Sequence, residues 1–186
     1  MTSHSRTLAD VSPSGRLGLC ATAAAALLVT ALAPAASASP LPDGGATARE
    51  VSEVLLAKGY AAQMDKDPTG DSMIRSGAEG TKFSVIFYGC KDGPRCTSIQ
   101  FSAAWHVDGG MQLSTINTWN TKHRFGQAHL DDVNDPWVRM DIDLERGYTT
   151  EAIANDLDRW VAVLGDFKHF MYCDEPKHRS ECPESP

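Results

Sequence analysis

The 186-residue chain contains no Gly-x-Ser-x-Gly elbow, no His-Glu-x-x-His pair and no P-loop. Each of these patterns sets a nucleophile, two metal-binding imidazoles or a phosphate cradle at a fixed spacing, so nothing local argues for the matching enzymes. A Cys-x-x-Cys motif is also missing, which removes the usual basis for thiol oxidoreductase chemistry. Basic excess is lacking as well: 17 Lys and Arg stand against 24 Asp and Glu, for a net charge of −7. A basic face for nucleic acid or an anionic membrane is therefore not expected. What remains is 42% apolar. That is too rich for a wholly disordered chain, and the length makes one compact acidic domain the default.

Residues 1–38 read as an export signal rather than as fold. Arg6 and Arg16 lead into an uncharged Ala/Leu-rich stretch from Leu17 to Ala33, and Ala36-Ser37-Ala38 supplies a small-x-small cleavage pattern. Pro34 breaks the apolar run and alanine dominates it, so a stable membrane span is not expected. Cleavage near Ala38 delivers a periplasmic or secreted protein and removes Cys20. Cys90, Cys96, Cys173 and Cys182 then enter an oxidising compartment as an even set, which favours disulfides.

Along the mature chain, residues 39–46 are Pro/Gly-rich and read as a linker. Thr47-Ala48-Arg49-Glu50 fits a capping box and starts a helix that Gly59 closes. Short extended segments follow near Ala61–Asp65 and Ser72–Ser76. The best-specified element is a hairpin. If Cys90 faces Cys96, antiparallel register pairs Phe87 with Ile99, Val85 with Phe101 and Phe83 with Ala103, with all six on one face and the cysteines on the other. A helix from Gln112 to Arg124 would turn Leu113, Ile116 and Trp119 inward. A strand near Gln127–Asp131 leads into one where Val138, Met140, Ile142 and Leu144 alternate with Arg139, Asp141, Asp143 and Glu145. Thr149 caps a long last helix carrying Ile153, Leu157, Trp160, Val161, Leu164, Phe167 and Met171 inward, with Tyr148 stapled onto Ile153. Residues 173–186 read as a polar tail that a Cys173–Cys182 disulfide would restrain, one of three connectivities open to the four cysteines. The order α-β-β-β-β-α-β-β-α gives an α+β domain with a mainly antiparallel twisted sheet and three flanking helices.

Candidate chemistry has competing structural explanations. Asp131-Asp132-Val133-Asn134-Asp135 lacks the ligand spacing of a calcium loop and reads as a strand-end turn. Asp141, Asp143 and Glu145 form a straight row rather than a converging site, so no metal is assigned. Cys173, His178 and Cys182 lack the further close cysteine of a zinc ribbon, and a disulfide is the simpler fate. His106, His123, His129 and His169 are scattered. Asn117, Trp119, Asn120 and Arg124 form either a recognition cluster or a set of ties, with Arg124 on Asp131 or Asp141 and the amides on loop backbone.

That last stretch carries a family resemblance. Ile116-Asn117-x-Trp119-Asn120-x-x-x-Arg124-Phe125-Gly126-x-Ala128-x-Leu130-Asp131, followed by Asp135-Pro136 and Met140-Asp141, resembles the YbjN-domain family, described as putative bacterial sensory transduction regulators. The resemblance runs from about Val51 to Phe170, within a domain placed at 47–172. It implies a fold similar to type III secretion chaperones, often paired into dimers, with no enzyme activity and no cofactor. The functional expectation is a non-enzymatic binding or regulatory module of the bacterial envelope acting on a protein partner, with no nucleic acid. The rival is a small periplasmic hydrolase or metal-dependent enzyme whose site forms only in three dimensions.

Overall fold

A computed structural model describes residues 39–42, 44–90 and 93–174. The export signal, the hairpin residues Lys91 and Asp92, and the tail with His178 and Cys182 lie outside the described residues. The elements run β1 (Ala46–Thr47), α1 (Ala48–Ala57), β2 (Gln63–Lys66), β3 (Ser72–Ala78), β4 (Thr81–Cys90), β5 (Arg95–Ala104), α2 (Leu113–Lys122), β6 (Gln127–Leu130), β7 (Pro136–Asp143) and α3 (Thr150–His169), which ends in a π-helical turn, Phe170–Asp174. The expected α+β order is present, with one short strand added at the start.

All strand pairings are antiparallel, in the order β2-β3-β4-β5-β7-β6, and β1 adds to β5 beyond the end of β7. The hairpin register is the one its apolar alternation demands: Val85 opposes Phe101, Phe87 opposes Ile99, and Cys90 opposes Cys96. A one-residue slip would turn that whole apolar set to water, so register here is strongly specified. The Cys90–Cys96 disulfide is closed. Cys173 is also disulfide-bonded.

The inner sheet face is dry and covered by helices. Trp160 of α3 stacks on Phe101 at 5.6 Å between ring centroids and meets Phe83 edge-on at 5.9 Å. Trp119 of α2 meets Phe167 of α3 edge-on at 4.8 Å, which joins the two helices over one core. Each such ring contributes about 1.5–3 kcal/mol by leaving water, before any gain from ring geometry.

Both expected helix starts are present for the expected reason. The Thr47 hydroxyl accepts from the Glu50 amide while the Glu50 carboxylate accepts from the Thr47 amide, so two exposed donors are satisfied reciprocally. Arg95 then bridges β5 to Glu50 at 2.8 Å. Burial alone would raise the Glu50 carboxyl; the hydrogen bonds from Arg95 and Thr47 outweigh it and hold the group below its ordinary value. At α3, the Thr149 hydroxyl accepts from the Ala152 amide.

Four expectations need correction. The described residues of 39–46 are bonded to the domain rather than forming a linker: the Leu41 amide donates to the Tyr148 carbonyl, that of Gly44 to the Glu145 carbonyl, and Ala46 pairs with Cys96 in the sheet. A Cβ on Gly45 would lie 1.9 Å from the Cys96 carbonyl oxygen, so only glycine permits this approach. The added strand also buries Cys96 to 2% exposure, although alternation puts the cysteines off the core face. Leu113 is 62% exposed, not inward. At 100° per residue it lies about 120° from Trp119 around the helix, and the buried arc is centred on Ile116 and Trp119. Val161 is only half-buried, while Val163 and Asp156 take inward places on α3. The last turn widens to π geometry, so Phe170 joins Met171 in the core.

Candidate functional site

The Asn/Trp/Arg stretch separates into a buried tie and an exposed tip. Trp119 is fully buried, and its indole N–H donates to the Gly126 carbonyl at 2.6 Å. Asn120 closes a two-way amide clamp on Ala128: its Nδ2 donates to the Ala128 carbonyl at 3.0 Å, and its Oδ1 accepts from the Ala128 amide at 2.9 Å. Helix α2 is thereby fastened to β6. A Cβ on Gly126 would come within 2.4 Å of Val163, so the chain passes α3 too closely for a side chain. Trp119 and Asn120 thus both bond backbone of the segment that follows α2. Met140 is buried opposite Phe101.

Arg124 behaves differently. It makes neither of the expected pairings, because both carboxylates are engaged elsewhere. Asp131 accepts from the Val133 and Asp135 amides and from the Trp137 indole, while Asp141 accepts from Gln100 at 2.8 Å. The Arg124 guanidinium instead lies 5.4 Å from the Phe125 ring centroid, and Arg159 of α3 lies 4.7 Å from it. Phe125 is 44% exposed. Asn117 is exposed on α2.

Arg159 is held from beneath. Its guanidinium pairs with Asp156, whose carboxylate also accepts the Tyr148 hydroxyl. Asp156 is 7% exposed, and that burial pushes its carboxyl up despite the attraction of Arg159. This support escaped sequence reading, since Tyr148 was expected to staple onto Ile153 and Asp156 interrupts an apolar face. The i,i+3 spacing of Asp156 and Arg159 was the available signal.

The acidic run forms a self-bonded turn between β6 and β7. The Asp135 amide, with the Trp137 indole and the Val133 amide, holds the Asp131 carboxyl below its ordinary value. The Val107 amide, followed by the His106 ring 2.8 Å away, does the same for Asp135. Reciprocally, Asp135 raises His106, with Asp108 adding a smaller effect. Asp143 accepts from the Glu145 amide. His123 stacks on Trp119, whereas His129 stacks on Trp137. Among the described residues, no three His, Cys, Asp or Glu side chains converge as metal ligands.

A second feature was not anticipated from sequence. Opposite the helices, the curved sheet forms a groove of about 670 Å³ lined by Met73, Arg75, Lys82, Ile86, Ser102 and Trp137, among others. Register places Arg75, Ser84, Ser102 and Arg139 in one row across β3, β4, β5 and β7. Alternation along the hairpin already contained Ser84 opposite Ser102; the places of Arg75 and Arg139 needed the pairing of β3 and β7.

No helix among the described residues is long and apolar enough to cross a membrane. A search of curated proteins finds no match. Residues 47–172 match the family model of YbjN, a putative bacterial sensory transduction regulator. That match covers the helix–sheet frame, the Trp119/Asn120 tie and the exposed Phe125 tip together, and the chain belongs to the YbjN family.

Proposed function

We infer that the protein is an exported, disulfide-stabilised regulatory module of the bacterial envelope, acting through contact with a protein partner. The observation that carries the contact is Phe125: a large apolar ring, exposed, flanked by two guanidinium groups, on a loop fixed by the Trp119 and Asn120 ties. Aromatic and arginine side chains dominate the energetics of protein interfaces, and rigid presentation lowers the entropy lost on docking. Export is supported by the leader pattern of residues 1–38 and by the Cys90–Cys96 and Cys173 disulfides, which persist in oxidising compartments. Cleavage after Ala38 leaves Ser39 as the first residue, and Ser39 is already tied to Thr150 at the start of α3 by its amide and carbonyl.

The test is crosslinking of the tagged protein in intact cells, followed by recovery from the envelope fraction. We expect one partner in near-equal amount, lost in Phe125→Ala while the Tm stays unchanged, and a recovered chain beginning at Ser39. Recovery of the same partner with Phe125→Ala overturns the contact. A chain retaining residues 1–38 in the cytosolic fraction overturns export.

A further inference from the structure

We propose that the outer-face groove is a binding site for a small anionic amphiphile, a molecule with one carboxylate-like head and a short apolar body. The groove is distinct from the Phe125 tip: it lies on the sheet face opposite the helices, whereas Phe125 packs beside α3. Its volume of about 670 Å³ falls within the span of small-molecule sites, roughly 300–1,000 Å³.

The lining specifies the ligand class. Met73, Ile86, Ala104 and Trp137 supply apolar surface for a short chain. The charged side chains that line it are Arg75 and Lys82, in a protein whose net charge is −7. Arg75 is engaged by Asp65 through its Nε, a bond that orients the guanidinium without occupying its terminal nitrogens. The floor carries the more telling group. Ser102 is 4% exposed and lines the groove, yet its hydroxyl has no partner among the described residues. Its cross-strand neighbour Arg139 has a buried Nε in the same condition. Buried polar atoms without partners are costly, and an anion seated over Ser102 would accept from a hydroxyl that the fold leaves unmet. Arg139 is itself held over the Trp137 ring, 5.2 Å from guanidinium carbon to centroid, and so braces the apolar wall.

The occupant is thus set by charge and shape together. A cation is disfavoured by Lys82 and by the free terminal nitrogens of Arg75, a free inorganic anion leaves the apolar wall unused, and a neutral alcohol leaves Lys82 unanswered. The head chemistry, a carboxylate or a phosphate monoester, is shared by several molecules of this class.

Calorimetric titration of the purified protein with decanoate, below its micellar concentration, tests the site, with tryptophan fluorescence as a second readout. Decanoate is expected to bind saturably and at least about tenfold more tightly than decanol, as a charge-assisted hydrogen bond to a partly buried head requires. Decyl phosphate is expected to bind in the same range. In Arg75→Gln/Lys82→Gln the affinity should fall by about tenfold or more at unchanged Tm, because both side chains are exposed on the outer face. Ser102→Leu should abolish binding by filling the floor. Equal affinity for decanoate and decanol, binding of decyltrimethylammonium as tight as decanoate, or undiminished binding in the Arg75/Lys82 variant overturns the proposal. Partner recovery through Phe125 is measured separately, so loss of one property with retention of the other tells the two readings apart.

Discussion

The two faces of the sheet use the same strands for opposite ends. On the inner face, Ile74, Val85, Phe101, Val138 and their neighbours are sealed by Trp160, Phe167 and Leu157. On the outer face, the intervening residues form a row of Arg75, Ser84, Ser102 and Arg139. Two-residue periodicity makes this division possible, since successive side chains point to opposite sides. Stability is concentrated on one face, which leaves the other open to binding chemistry. Buried polar atoms without partners among the described residues occur on both faces, Trp160 Nε1 within the inner core and Ser102 Oγ on the outer face, where it lines the groove.

The largest effect should come from breaching the inner face. Phe101→Ala is expected to cost about 3–5 kcal/mol in urea unfolding, because the ring between Trp160 and Phe83 leaves a cavity that a rigid sheet cannot close. Ser84→Ala, one strand over on the outer face, should stay within about 0.5 kcal/mol. Comparable losses would mean that the outer face shares in the core, and the contrast between the faces would fail.

Next comes the hairpin staple. Cys90→Ser/Cys96→Ser opens a loop of sequence separation 6 and should destabilise by about 2 kcal/mol through the freer unfolded chain. Reductant should lower the wild-type Tm and have a smaller effect on the double variant, which retains the Cys173 disulfide.

Asn120→Ala tests the tie that holds α2 over the inner face. It strands the Ala128 amide and carbonyl and should cost about 1–3 kcal/mol, with unchanged decanoate affinity in the outer groove. A change in affinity as large as the change in stability would show that the faces are coupled.

The smallest effect is electrostatic. By NMR, His106 should titrate above its ordinary 6.5 and return toward that value in Asp135→Asn. Because the folded value is raised, the His106 contribution is present in acid and is lost as pH rises through that raised value. Asp131 and Asp135 act with the opposite sign: their folded values are lowered, so their contribution is lost as pH falls through them. The β6–β7 turn should therefore be best ordered between the carboxylate range and the raised His106 value.

Much of the frame was legible because its signals are local. The Thr47 capping box, the Thr149 cap, the alternation of Val138 to Leu144 and the cysteine-anchored hairpin each sit within a few residues, and each is present. The motif block pointed to the family and to the amide ties. Less legible were the features joined across long separations. Residues 39–46 looked like a linker because Pro and Gly mark irregular backbone, and nothing nearby reveals that Gly45 lies against Cys96. Arg124 carries an unambiguous charge, but its neighbours depended on which carboxylates the turn amides had already engaged.

The sequence by itself determined the α+β class, the hairpin register, the helix starts and the family, because periodicity, capping and motif spacing act between near neighbours. Only the tertiary structure decided that Phe125 stands between Arg124 and Arg159, that Asp156 is buried beneath Arg159, and that Arg75, Ser84, Ser102 and Arg139 share one row. Those arrangements depend on which strand lies beside which and on where α3 crosses the sheet. Such choices are made by burial of the whole apolar surface at once, and no single segment carries them.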